Sequence, residues 1–312
     1  MTEADERIKK PKRDKSKPRG LDADRLKGYM TEYEADIEWR KCRLSLLYYL
    51  TKHVWIQDRV LQQRVRWESW PHLRQLVELV QQWGDARPRK PMYIVIFKSR
   101  QMGASTTITG IGTWLSNFFD STKVIFQSKD ERVAQEMLER ARFICEHHPQ
   151  HLRLKIFPNQ DDIAGFPATN SKIMTIPSTE DAGKSTDATF IACDEWEAHK
   201  KAREGFAAVK PPMAKGGLFI GVSTVDKTNM DSFMKEIWHG AKEGKNGFIP
   251  LFWDYFQVPG RNEETYQRDT AGMSDPKVSN LNMPGIFEVG GKVLAEILRQ
   301  AGAVSDHVAN TV

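Results

Sequence analysis

The sequence predicts an α/β protein: a mostly parallel β-sheet flanked by helices, preceded by a helical N-terminal segment. Three observations carry that expectation. Short apolar runs at 92–97, 188–193 and 218–222 are rich in β-branched and aromatic residues, and they read as strands buried on both faces. Longer stretches with apolar residues at helical spacing lie between strands, the alternation that builds a parallel sheet. One of the strands runs directly into a polar turn that opens a further apolar helical run.

In chain order, the stretch from Arg7 to Arg19 holds eight Lys or Arg residues against one acid, with Pro11 and Pro18 and one sizeable apolar side chain, Ile8. It cannot bury enough apolar surface to order itself, so residues 1–28 are expected to form a disordered basic tail. Such a tail suits phosphate-backbone contacts, and equally serves as a plain solubilising terminus. Residues 29–83 are expected to be helical, with Tyr33, Ile37, Leu44, Leu47, Tyr48 and Val54 at compatible spacings and a further amphipathic segment at 71–83. This half is dense in tryptophan (Trp39, Trp55, Trp67, Trp70, Trp83) and arginine. Such side chains can stack on bases, but core or interface packing is the commoner use. Residues 84–90 form a turn-rich linker, and Pro91 marks the start of the first core strand.

That strand leads through the turn 98–103 into a helical run ending near Phe119. Then follow a short strand at 123–127 and a long helix at 131–148, capped by Ser128-Lys129-Asp130 and carrying Val133, Met137, Leu138, Ala141 and Ile144 on one face. A β-rich stretch at 172–177 precedes a polar loop at 178–187, and the strand 188–193 follows. Strands at 218–222 and 247–253 complete the α/β core, taken as 91–258, with 259–312 as a C-terminal extension.

Composition narrows the function class. The chain has 312 residues, ample for a substantial core, and a net charge of +5. No apolar run approaches the ~18–20 residues a membrane span requires. Cys42, Cys145 and Cys193 are odd in number and far apart, which suits a reducing, cytoplasmic compartment. Cys145, His147, His148 and His151 lie close together without a second ligand pair at structural spacing, so a zinc site is not expected there.

The chemistry concentrates in two motifs. Lys98-Ser99-Arg100-Gln101-Met102-Gly103-Ala104-Ser105-Thr106 lies between strand and helix, the setting of a phosphate-binding loop. Against the GxxxxGK[ST] pattern, Gly103 matches the second glycine and Ser105 the Mg²⁺-binding hydroxyl. Lys98 takes the first glycine's place and Ala104 the lysine's. Charge building up at the terminal phosphoryl demands a cation, which Lys98 and Arg100 at the rim could supply. Alone, the segment fits a basic strand-to-helix turn equally well. The second motif is Asp194-Glu195 at the end of a buried strand, where Asp194 would hold Mg²⁺ and Glu195 would deprotonate the attacking water. Alone it fits a solvated turn. Together, in an alternating α/β pattern, they point to a P-loop NTPase-type fold with ATP and Mg²⁺ as ligands. Ser223-Thr224 ends the next strand, where hydroxyls can sense a γ-phosphate.

These three segments resemble the ATPase domain of tailed-phage large terminase subunits, the motors that package double-stranded DNA into procapsids. The resemblance covers about residues 70–258. It implies that Lys98 and Arg100 bind phosphates within a cradle of Gln101, Gly103, Ala104, Ser105 and Thr106, that Glu195 is the catalytic base, and that Ser223 and Thr224 couple hydrolysis to DNA movement. It also implies an adenine-contacting glutamine upstream, for which Gln75 in Trp70-Pro71-His72-Leu73-Arg74-Gln75 is the candidate, and an arginine acting in trans, whose place is held here by Lys184, which lacks the bidentate fork. Implied partners are duplex DNA, a portal protein and a small terminase subunit, in a homo-oligomeric ring in the host cytoplasm. Large terminases continue into a nuclease domain. The chain after Trp253 is too short for one, and Asp254, Asp269 and Asp275 form no recognisable cluster, so a motor domain without nuclease activity is expected. The rival readings are a helicase-like nucleic-acid-dependent ATPase and an inactive DNA-binding remnant.

Overall fold

The computed structural model describes residues 23–58, 61–176, 187–226, 229 and 231–271. The chain divides into two compact units, Met1–Glu38 and Trp39–Val312. Described residues of the first are helical, forming the opening of α1 (Ala23–Leu44). Most of the basic tail, the stretch holding Lys184, and Asp275 lie outside the described residues. Everything below concerns the second unit.

Helix α2 (Leu46–His53) starts at Ser45, whose Oγ accepts the Tyr48 N–H at 3.1 Å. Here the helical reading of 29–83 is corrected. Strands β1 (Trp55–Asp58) and β2 (Gln63–Arg66) pair antiparallel between α2 and the next helix. Their cross-strand register explains the hairpin: Trp55 lies opposite Arg66, whose guanidinium stacks 3.7 Å from the ring centroid, with Arg64 at 5.4 Å. Helix α3 (Pro71–Asp85) then begins on a proline, which supplies the first-turn φ and lacks an N–H that would go unbonded there.

The core alternates strand and helix: β3 (Met92–Lys98), α4 (Ala104–Phe118), β4 (Lys123–Gln127), α5 (Glu131–Glu146), then β5 (Asn159–Gln160), β6 (Ile163–Phe166), β7 (Ser171–Thr175) and β8 (Phe190–Asp194). It continues through α6 (Ala202–Met213), β9 (Leu218–Thr224), α7 (Phe233–Lys242), β10 (Phe248–Trp253) and α8 (Glu263–Thr270). Among the described residues, eight strands form one sheet in the order β10-β3-β9-β8-β4-β7-β6-β5. The pairs from β10 to β7 are parallel, and β6 and β5 add an antiparallel edge absent from the sequence reading. The expected mostly parallel α/β sheet is therefore present.

Side-chain alternation along the strands divides the core. Ile94, Ile96, Phe126, Ala192 and Ile220 face one way, packing with residues of α2, α3, α4 and α5. Val95, Phe97, Ile125, Ile191 and Phe219 face the other, toward Phe206 and Met213 of α6 and Trp238 of α7. Neither α6 nor α7 was read from the sequence. Pro211 and Pro212 look like helix breakers, but they occupy the final turn of α6. Asp130 does cap α5, accepting the Val133 N–H at 3.0 Å.

Two buried contacts lock the helical layer and the sheet. Tyr49 Oη meets Thr113 Oγ1 at 2.8 Å and His148 Nε2 at 3.0 Å, tying α2 to α4 and to the end of α5. Cys145 Sγ accepts from Asn117 Nδ2 at 3.4 Å, and His147 Nδ1 donates to the Phe143 carbonyl at 2.7 Å. On the other face, Gly221 lies under the Trp196 ring. A Cβ there would sit 2.1 Å from Trp196 Cε3, so only glycine lets the ring lie flat on β9.

Burial, with lesser repulsion from His53, Arg153 and His147, pushes the His148 imidazole down to about 3. The unfolded chain takes up this proton near pH 6.5 and the folded chain does not. Stability is thus present above pH 6.5 and lost as pH falls toward 3, by about 1.4 kcal/mol per pH unit. Urea unfolding at pH 7 and pH 5 should show the native protein losing about 2 kcal/mol more than a His148→Gln variant over that interval. Gly221→Ala should destabilise by about 1–3 kcal/mol through overpacking against Trp196, measurable as a lower urea midpoint at unchanged slope.

Candidate active site

The loop after β3 lies at the carboxyl end of a central parallel strand, where open α/β sheets place their ligand crevices. Met102 and Lys98 are buried, whereas Arg100 and Gln101 are exposed. Gly103 caps α4 in the left-handed region (φ +73°), and a Cβ there would approach Leu73 Cδ1 to 3.1 Å. Gln101 is also left-handed (φ +56°). These two turns reverse the chain so that the first-turn amides of α4, which have no intrahelical acceptors, face outward at the helix's positive end.

Three side chains from elsewhere hold this loop. His72 of α3 donates from Nε2 to the Met102 carbonyl at 2.9 Å, and burial favours its neutral ring. Arg261 donates to the carbonyls of Arg100 and Gln101, each at 3.3 Å, while its guanidinium lies 4.5 Å from the Tyr255 ring centroid. Trp67 Nε1 donates at 2.9 Å to Thr107 Oγ1, which itself bonds the Gly103 carbonyl at 3.0 Å. None of the three was identified as a site residue from the sequence. His72 lies in the stretch singled out for Gln75, but Gln75 is half-buried one turn further along α3 and does not line the cavity described below.

The two motifs meet. Ser105 Oγ donates to Asp194 Oδ2 at 2.6 Å, closing a gap of 89 positions in sequence. Asp194 is buried at the end of β8, and its carbonyl accepts from His199 Nε2 at 2.9 Å. Glu195 follows in the left-handed region (φ 50°, ψ 42°), which turns its side chain out of the strand direction. Its backbone N–H is held by Asp194 Oδ1 at 3.0 Å. Ser223 Oγ stands 3.5 Å from Glu195 Oε2, and Lys98 Nζ donates to Thr224 Oγ1 at 3.3 Å. Parallel registers produce these meetings: β3 and β9 pair Lys98 with Thr224, and β8 and β9 pair Asp194 with Val222.

A cavity of about 530 Å³ adjoins the loop. Lys98, Gln101, Gly103, Ala104, Ser105 and Thr106 line one side, and Trp55 of β1 and Phe143 of α5 the other. Ser105 and Asp194 present hard oxygen donors side by side, a set that fits Mg²⁺. The structure thus brings together Lys98, Ser105, Asp194, Glu195, Ser223 and Thr224. Arg100 is exposed on the loop and Gln75 stands apart. Among the described residues, no helix is long and apolar enough to cross a membrane.

No protein-family model and no curated protein matches the chain. Solved structures do. The large terminase of bacteriophage HK97 superposes with a TM-score of 0.53 at 14% identity, over 85% of this chain and 52% of that one. A large terminase from a thermophilic bacteriophage, in complex with ADP, gives 0.52 at 8% identity, over 68% of this chain and 52% of that one. A mutant of the ATPase domain of the Thermus phage P74-26 large terminase gives 0.51 at 12% identity, over 69% of this chain and 93% of that domain. The chain thus spans about half the length of the HK97 protein but nearly all of the isolated ATPase domain. The described core carries the fold of the ATPase domain of phage large terminases.

Proposed function

We propose that the protein is the ATP-hydrolysing motor domain of a phage terminase large subunit, moving double-stranded DNA into a procapsid. The observation that carries this reading is the 2.6 Å contact of Ser105 with Asp194, with Lys98–Thr224 and Ser223–Glu195 beside it. The loop, a carboxylate pair and a polar strand end lie together at the carboxyl ends of the neighbouring strands β3, β8 and β9. The terminase fold and the ADP bound to one structural neighbour support the nucleotide assignment.

In this reading the first-turn amides of α4 and the backbone around Gly103 hold the β-phosphate, with Gln101, Ala104 and Thr106 shaping the cradle. Lys98 takes the role of the missing loop lysine. It is buried at the end of β3, already beside Thr224, and faces the cavity, whereas Arg100 is exposed and serves as a supplementary cation. Ser105 and Asp194 would hold Mg²⁺, which would neutralise charge on the phosphate oxygens. Glu195 takes the proton of the attacking water as the bond to the terminal phosphoryl breaks. Loss of that phosphoryl leaves Lys98 without its anionic partner, and Thr224 and Ser223 register the change. Duplex DNA, a portal, a small subunit and a homo-oligomeric ring are the partners this function requires. The upstream stretch around Gln75 remains the proposed adenine contact.

The test is steady-state ATP hydrolysis with and without double-stranded DNA. Turnover should rise with DNA. Glu195→Gln should cost about 10²–10⁴-fold in kcat with nucleotide still bound, and Lys98→Ala about 10²–10³-fold. Survival of Lys98→Ala would move the cationic role to Arg100. Absence of nucleotide binding in the native protein would overturn the motor and leave the DNA-binding remnant.

A further inference from the structure

Two residues beyond Glu195 lies a second carboxylate that the proposed chemistry does not use. Glu197 sits in the short 3-10 turn Trp196–Ala198, with its side chain 2% exposed. Its Oε2 accepts the Asp226 N–H at 2.8 Å, and its Oε1 accepts Ser232 Oγ at 2.9 Å and pairs with Lys235 Nζ at 2.9 Å. Lys235, on α7 and 9% exposed, also donates to the carbonyls of Asp226 and Asn229. A buried ion pair bears a desolvation cost, and apolar replacements of such pairs are often more stable. Packing alone is therefore a poor account of this one.

Its connections suggest the account. Asp226 lies two residues beyond Thr224, and Glu197 two residues beyond Glu195. The pair thus ties the backbone just past the β9 hydroxyls to the backbone just past the catalytic base. Inside that tie are two long contacts of the site, Ser223–Glu195 at 3.5 Å and Lys98–Thr224 at 3.3 Å. Contacts that long depend on an external frame to set their separation.

We infer that Glu197 and Lys235 are positioning residues for hydrolysis, holding Ser223 and Thr224 in register with Glu195 and making α7 the first element to feel a displacement of the β9 end. The inference rests on the ATPase reading. Neither residue touches the loop from Lys98 to Thr106, so their loss should act on turnover and leave nucleotide affinity alone.

The experiment is ATP turnover and ATP binding by the whole chain for Glu197→Gln, Lys235→Met, the double variant and Lys235→Arg. Glutamine keeps an acceptor for the Asp226 N–H, arginine keeps the cation, and the double variant leaves no buried charge unpaired. Glu197→Gln and the double variant should lower kcat at least tenfold with KM and Kd for ATP within twofold of the native values. Lys235→Arg should stay within threefold in kcat. This kcat-specific pattern separates positioning from a general loss of structure. If circular dichroism shows a single variant unfolded, the double variant decides. Native turnover in the double variant, or an effect confined to KM, overturns the inference while the ATPase reading stands. A native protein that binds no ATP overturns both.

Discussion

Strand β3 has no face toward solvent, and much else follows from that. Ile94 and Ile96 must be covered on one side and Val95 and Phe97 on the other, so helices are needed on both faces of the sheet. Parallel neighbours on each side, β10 and β9, leave its carboxyl end as the place where a polar turn can meet solvent. The same geometry aligns the ends of β8 and β9 with it, and the carboxylates and hydroxyls arrive there as a result of register. The site is thus a by-product of burying apolar strands, sharpened by a few polar side chains.

Those polar side chains fall into two groups. One contacts itself at the carboxyl ends of β3, β8 and β9: Ser105 with Asp194, Lys98 with Thr224 and Ser223 with Glu195. The other grips backbone from behind: His72 and Arg261 on the loop carbonyls, His199 on the Asp194 carbonyl, and Glu197 on the Asp226 amide. The second group gives the first its precision, because loops that carry catalytic groups need their rotamers and backbone fixed by neighbours. Arg261 comes from the segment after β10, so the loop is braced from both the chain that precedes it and the chain that follows the last strand.

The sequence was informative where physics is local. Apolar runs revealed the strands at Met92–Lys98, Phe190–Asp194 and Leu218–Thr224, and the motif residues at their ends could be named. It was silent where a residue's role depends on a distant partner. Nothing near Arg261 or His72 announces that their donors end on carbonyls far along the chain. The β1–β2 hairpin was hidden because its stabilising pair, Trp55 with Arg66, looks in sequence like an amphipathic helical stretch. Helix α6 was hidden by Pro211-Pro212, which are breakers in the middle of a helix and tolerable at its end.

The left-handed backbone of Glu195 has a consequence for how this protein can change. A side chain in that region costs on the order of 1 kcal/mol relative to glycine, and the fold accepts the cost to turn the Glu195 carboxylate toward Ser223. With Glu195 as the proposed base, position 195 is a place where selection for stability and selection for turnover pull in opposite directions. Under the proposed ATPase function, a lineage released from hydrolysis would gain stability by drifting there to glycine, with the neighbouring Asp194 untouched. On that proposal, the residue at this one position reads as a record of whether hydrolysis is still under selection.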